Sequence, residues 1–440
     1  MFIALSVLLT PFAMDTDAPS PANYLQIAGG TEANLRMHVL AQWFPRAVDT
    51  TRGGFDQNYG EDWSAGASTN RTLVYQSRLT WIAAKAAVRY PRERAKYLGF
   101  SRHGMAFLKD HMWDQARGGF YWSAEDASKP EAVKQVYGVA FALYASAANF
   151  EATHDVTAIG LAKKTFAWLE AHAHDTTNGG YFEALDRDGV PIFGVDGPPS
   201  ATPFPHRAGN DAIGAAFGQK SMNTHIHLLE ALTELYGVWR NPLVAKRLHE
   251  VFEIVRERVV DVAGYQHQFF TPAWKPVPGD DSYGHDIEAA YLLIEASGAL
   301  GKPKDSRTWM VAQHLVDHTL RAGWDEENGG VYDSGSPDTG PSSARGQAKI
   351  WWVQAEGLNS LLMMHEHFGR KTSRYWQAFV KEWEFIGKYQ VDAVNMGWYR
   401  EVSREGKARP GATKSDDWTE AYHQGRALMN VTDRLRRLAG

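Results

Sequence analysis

Cysteine is absent from the 440 residues, which removes disulfides, thiolate metal sites and cysteine nucleophiles together. Excess positive charge is missing too. The chain has 46 Lys and Arg against 51 Asp and Glu, a net charge of -5 and a pI near 6.4, so nucleic acid is not an expected partner. The one basic run, "DRLRRLAG", closes the chain and reads as a helix C-terminus, where cations are favourable. Long hydrophobic runs are also lacking. The opening "MFIALSVLLTPFAMDTDAPS" has an apolar stretch too short for a bilayer and no Lys or Arg ahead of it. Residues 1–20 read either as an atypical export signal or as a mis-assigned start with Met14 as the true one. The second reading is preferred, and with it a cytoplasmic location. No later segment has membrane length, so no membrane partner is expected.

What is present is enough for a large core: 44% apolar residues, 12% aromatics and 22% charge. The organising pattern is a glycine followed by aromatic or aliphatic residues. It occurs six times, as "RGGFDQ" at 52, "RGGFYW" at 117, "NGGYFE" at 178, "AGYQHQ" at 263, "NGGVYD" at 328 and "MGWYRE" at 396. Most copies close an amphipathic segment, so the glycines read as helix stops leading into short extended hairpins. After each comes a segment apolar on nearly every face, for example "KQVYGVAFALYASAA" or "HDIEAAYLLIEAS", which predicts a buried helix. Between it and the next hairpin lies a helix charged on one side, such as "SRTWMVAQHLVDHTLRAG". Six buried helices alternating with six amphipathic ones predict an all-α, (α/α)6 barrel with short β-hairpins at one rim, with residues 21–440 as a single catalytic domain.

In that architecture the inner helices all start at one end of the barrel, so polar residues of their first turns converge with six positive dipole ends. Those residues are Tyr75, Gln76 and Arg78, then Tyr137, then Asn223, His227 and Glu230. The fourth inner helix adds His285 and Glu288, the fifth Trp352 and Glu356, and the sixth Trp418 and His423. A lone histidine on an apolar helix is ordinarily a hydrogen-bonded core residue, and His225 and His267 keep that reading. His285 and Glu288 taken alone fit a structural pair as well as a functional one; two further histidines at the same rim favour function. Trp352 is equally readable as core packing, and Asn223 as a residue stabilising the first turn of its helix.

H-x-x-E spacing also occurs in metal sites. Here neither an H-x-x-x-H nor a second H-x-x-E copy stands at matched positions, and Arg78 beside a divalent cation is unfavourable. Neither a metal nor another cofactor is expected. Tryptophan faces stack on sugar rings while Asn, Arg and Glu bond hydroxyls, so a small carbohydrate is the expected ligand. Paired imidazoles suit removal and return of a proton next to a carbonyl, with the arginine stabilising the enediolate.

The stretches "KSMNTHIHLLEALTELY", "SYGHDIEAAYLL", "WWVQAEGL" and "WTEAYHQGRAL" together resemble the N-acylglucosamine 2-epimerase superfamily, most closely its cellobiose 2-epimerase branch, from about residue 35 onward. The resemblance implies an (α/α)6 barrel and metal-independent epimerisation or isomerisation of a sugar at C2. It implies His285 and His423 as the acid/base pair, with Glu288 orienting or tuning His285. It further implies His227 in ring opening with Asn223 beside it, Arg78 on the carbonyl or enediolate oxygen, and Tyr137, Trp352 and Trp418 on the sugar, with Glu356 in the binding set. The final motif departs from the branch, which more usually has a lysine and proline around the tryptophan and an asparagine after the histidine. The sugar therefore stays open between cellobiose, another disaccharide, mannose and glucose, and aldose–ketose isomerisation is an alternative on the same site. A glycoside hydrolase using Glu288, Glu230 or Glu356 is the alternative from another class. The Gly/Pro-rich stretch from 185 to 219 is expected to form a rim loop or lid. Oligomeric state is not readable from the sequence.

Overall fold

Segments apolar all round become one ring of helices, and segments with a single apolar stripe become a second ring outside it. The computed structural model describes residues 18–129, 132–195 and 204–440; the segment read as a signal or false start, apart from its last residues, and residues 196–203 of the predicted rim loop lie outside them. The outer helices are α1 (Pro21–Asn34), α3 (Arg94–Phe107), α5 (Val156–Trp168), α7 (Pro242–Ile254), α9 (Ser306–Ala322) and α11 (Arg374–Phe385). The inner helices are α2 (Leu73–Arg89), α4 (Val136–Thr153), α6 (Met222–Val238), α8 (Tyr283–Ala299), α10 (Trp351–Phe368) and α12 (Tyr422–Ala439). Each inner helix packs on the next, and α12 returns to α2, which closes the ring. The expected (α/α)6 barrel is therefore present. α4 shows why: from Val136 to Asn149 every residue is buried.

The glycine repeats take a form that periodicity alone does not reveal. Five outer helices end in a π-helical turn, such as Leu108–Met112 after α3 and Val255–Val259 after α7. The chain then makes a single bridge, for instance Trp113 to Phe120 or Trp324 to Val331, in place of a regular hairpin. An aspartate organises each turn. Asp49, Asp114, Asp175, Asp261, Asp325 and Asp392 each accept a hydrogen bond from the backbone N–H two residues on, at 2.8 to 3.0 Å, a side-chain mimic of a backbone turn. The glycines follow because the turn needs left-handed backbone: Gly119 has φ +72°, and a Cβ there would lie 2.6 Å from the Trp168 ring.

Buried cations neutralise most of these aspartates. Lys349, fully buried, places Nζ 2.8 Å from Asp325 Oδ2 and donates to the Arg404 carbonyl at 3.0 Å. Lys349→Met strands that carboxylate, and removing one partner of a buried pair costs about 3–5 kcal/mol. Denaturant unfolding is expected to show a loss of that size; an unchanged midpoint would rule out a stabilising role for the pair.

Two-residue strands carry the chain from the turns to the inner helices, as at Lys134–Gln135 with Ala184–Leu185 and Asp281–Ser282 with Ser334–Gly335. All inner helices consequently start at the same rim. Within the described part of the long loop, Phe193–Gly194 pairs in parallel with His206–Arg207.

Candidate active site

Short local devices turn the first-turn side chains inward. Ser221 caps α6 by accepting the Thr224 N–H at 3.0 Å, which starts the helix so that Asn223 and His227 both face the lumen. On α8, Gly284 leaves room for a neighbour: a Cβ there would stand 2.5 Å from the Trp352 ring. The Trp352 indole therefore lies against His285, with ring centroids 4.7 Å apart, and 5.5 Å from His423. The result is a cavity of about 570 Å³ lined by Arg78, Tyr137, Asn223, His227, His285, Glu288, Trp352, Trp418 and His423, within the size range of small-molecule sites. Asp333, Arg345, Arg400, Glu401 and Arg409 line the same cavity; Arg345 and Arg409 are exposed and mark its mouth.

The three histidines share one arrangement. His227 is held at Nδ1 by Glu230 Oε2 at 3.1 Å, His285 by Ser282 Oγ at 2.7 Å, and His423 by Glu356 Oε1 at 2.8 Å. Each thus leaves Nε2 as the nitrogen able to meet a ligand. Arg78 donates to Glu420 Oε1 and to the Tyr137 hydroxyl, both at 3.0 Å, and its guanidinium lies over the Phe141 ring at 4.2 Å.

Two expected placements differ in the structure. Glu288 does not orient His285 through a hydrogen bond: Ser282 holds that ring, and Glu288 Oε1 accepts from Arg426 Nη2 at 2.6 Å. Its effect on His285 is one of charge, exerted from the same helix face. Glu356 is not on the cavity wall. It is fully buried behind His423, also taking a hydrogen bond from Arg426 Nη2 at 2.7 Å. Spacing within one helix sets which residues share a face, but the partners come from across the ring.

Arg426 is the residue that first-turn spacing missed. Besides Glu288 and Glu356 it bonds Glu230, and its Nη1 lies 2.5 Å from the Tyr422 hydroxyl, which itself donates to Glu230 at 2.5 Å. The available signal was "HQGR": Arg426 stands three residues after His423, on the same helix face. Glu420, the partner of Arg78, belongs to the same motif.

Burial dominates the electrostatics. It pushes His285 down to about 4, against the opposing pull of Glu288. Burial, reinforced by Arg78 and Arg426, holds His423 well below the usual imidazole value. Burial raises Glu356 to about 8, with Arg426 opposing it. For Glu230 burial also pushes upward, yet Arg426 and His227 outweigh it and bring the carboxyl to about 2. Burial thus favours the neutral form of the His285 and His423 rings, while Arg426 and His227 favour the ionised form of Glu230. His225 behaves as a core residue: fully buried, it accepts the Tyr181 N–H at 3.1 Å, and burial pushes it down to about 3.

Neutral imidazoles, an anchored arginine and indole faces around one sugar-sized cavity fit proton transfer on a carbohydrate. Comparison with known proteins agrees. The sequence profile of the N-acylglucosamine 2-epimerase (GlcNAc 2-epimerase) family matches residues 53–194 and 206–427. A cellobiose 2-epimerase of Bacteroides fragilis is 28% identical over 405 residues, covering 91% of this chain and 97% of that protein. The structure of cellobiose 2-epimerase from Spirochaeta thermophila superposes with a TM-score of 0.83 at 29% identity, over 95% of this chain and 99% of that one. A D-mannose isomerase structure superposes at 0.77 with 21% identity, over 96% of this chain and 100% of that one, a likeness of fold. With the family profile spanning most of its length and relatives aligned nearly end to end, the chain is a carbohydrate epimerase or isomerase and belongs to the N-acylglucosamine 2-epimerase family.

Proposed function

We propose that this protein is a sugar 2-epimerase acting on the reducing-end aldose of a cellobiose-type disaccharide or a related mannose or glucose sugar. The observation that carries the reading is the trio of histidines anchored at Nδ1 and open at Nε2, with both His285 and His423 against the Trp352 ring. His227 assists opening of the pyranose. One of the pair, His285 or His423, takes the C2 proton; the C–H electron pair becomes the C1–C2 double bond, and the former carbonyl oxygen carries the negative charge beside Arg78. The other histidine takes up a proton from solvent beside the negative enediolate and returns it to the opposite face of C2, and the first releases its proton to solvent. Trp352, Trp418 and Tyr137 hold the sugar, with Asn223 on its hydroxyls.

Return of the proton to C1 would give the ketose from the same intermediate, so product analysis separates epimerase from aldose–ketose isomerase. The hydrolase alternative has less support. Glu230, Glu288 and Glu356, the carboxyls it would use, are all bonded to Arg426, which does not suit an acid and base flanking a scissile bond.

The test is incubation in D2O with cellobiose, mannobiose, glucose, mannose and N-acetylglucosamine, followed by NMR. Loss of the C2 proton signal without hydrolysis is expected for at least one sugar; silence across the panel sinks the reading. The pH profile provides a second test. Burial disfavours the charged form of His423, so the neutral base persists as pH falls and is lost only below its lowered pKa. The acidic limb of kcat/KM is therefore expected below about 6.5, the ordinary histidine value; a limb at or above it contradicts His423 as the base.

A further inference from the structure

The fourth repeat breaks a rule that the other five keep. Asp49 is paired with Arg71 at 2.8 Å, Asp114 with Lys134 at 3.2 Å, Asp175 with Lys220 at 2.7 Å, Asp325 with Lys349 at 2.8 Å and Asp392 with Lys414 at 2.6 Å. Arg71, Lys134, Lys220 and Lys349 all stand two residues before an inner helix. In the fourth repeat that position, before α8, is Asp281, and the turn aspartate Asp261 is left with His267 Nε2 at 3.2 Å. A second exchange lies three residues into the helix. There Gln76, His225 and Gln354 accept a turn N–H through neutral groups, whereas α8 uses Asp286, which accepts from the Gln266 N–H at 2.8 Å. One exchange replaces a cation by an anion, and the other a neutral acceptor by an anion.

His318 of α9 completes the cluster, with Nδ1 3.2 Å from Asp286 Oδ2 and 3.5 Å from Asp281 Oδ2. All three side chains are at most 1% exposed, and among the described residues no Lys or Arg makes an ion pair with either carboxylate. Buried carboxylates without compensation are costly.

Two further observations point to a ligand. Neither oxygen of Asp281 meets a hydrogen-bond donor. His318 Nε2 lies 2.9 Å from the Pro337 carbonyl, a contact that requires a proton on Nε2 and turns Nδ1 toward the two carboxylates. A histidine whose far nitrogen is tied to a backbone carbonyl is the usual arrangement of a metal ligand.

We propose that Asp281, Asp286 and His318 bind a divalent cation of the Mn2+ or Zn2+ type, which stands where the other repeats place an ammonium or guanidinium. Two carboxylate oxygens and one imidazole nitrogen, all within 4.8 Å of one another, are a donor set for such ions. Glu288, Glu356 and His423 form a similarly tight group, but there Arg426 already supplies the positive charge. None of the three proposed ligands lines the sugar cavity. The ion ties the strand before α8, the first turn of α8 and α9 together, and Asp286 adjoins His285 in the chain. Its role is to hold the start of that helix, apart from any step of the reaction.

The test uses the full-length protein produced with added Mn2+ and Zn2+, gel-filtered, and measured for metal by mass spectrometry. About one tightly held ion per chain is expected, as for a preformed site of deprotonated ligands. Chelation should lower Tm, and Mn2+ or Zn2+ alone should restore it. Asp281→Asn and His318→Gln, if folded, should each lose the ion. A metal-free protein whose Tm is indifferent to both ions overturns the proposal and leaves the two carboxylates sharing a proton; an ion retained by folded Asp281→Asn overturns it as well.

Discussion

Exchange of the C2 proton is expected to fall by about 10³-fold in His423→Ala, the middle of the range for removing a general acid or base. The ring is held by Glu356 at Nδ1 and faces the cavity with Nε2, so truncation removes the proton carrier itself. Stability should change little by comparison. Glu356 keeps its hydrogen bond from Arg426, and the space opened adjoins a cavity already present. His285→Ala should behave in the same way, because its Nδ1 partner is the Ser282 hydroxyl, which can turn to other acceptors. The measurement is deuterium exchange at C2 alongside thermal unfolding. If the loss of exchange tracks a loss of folded protein, or if either variant exchanges at the wild-type rate, the acid/base assignment is wrong.

Arg426→Met is expected to lower both stability and turnover. The guanidinium is 3% exposed and bonds Glu230, Glu288 and Glu356, side chains of three different inner helices. Removing it leaves three buried carboxyl groups with no cation among them; breaking even one such pair costs about 3–5 kcal/mol. Denaturant unfolding should show a loss at least that large. Arg426→Lys restores the charge but not the fork that reaches two carboxylates from one nitrogen and a third from the other, so it should recover part of the stability and little of the activity. A folded Arg426→Met protein with wild-type stability would mean that the carboxyls are neutral without the arginine.

Several features were legible from residue order. The six glycine repeats marked six turns, and segments such as "KQVYGVAFALYASAA" could only be inner helices, because no face of them is polar enough to meet water. Convergence of His227, His285 and His423 followed from all inner helices starting at one rim. The aspartate that builds each turn was visible as a residue beside the glycines, but its backbone hydrogen bonds and, in five of the six turns, its buried cation were not. Asp175 and Lys220 are 45 residues apart, and nothing in local periodicity connects them.

The partners of the catalytic groups were hidden for the same reason. Glu288 and His285 share a helix face three residues apart, and the family resemblance implied that Glu288 orients or tunes His285. Ring closure brings Arg426 to Glu288 across 138 residues and Glu356 to His423 across 67, and a guanidinium is the stronger claimant on a carboxylate. Glu356 accordingly moves from the expected sugar-binding set to a place behind His423.

By itself the sequence determined the barrel, the rim and the histidines, Arg78 and aromatic residues that face the cavity, because periodicity of 3.6 and the positions of helix starts are local properties. Only the tertiary structure decided which acid serves which histidine, which carboxylates buried Arg426 bonds, and which repeat lacks its cation. Those choices depend on groups brought together from distant parts of the chain in a low-dielectric core, where each buried charge must find a partner.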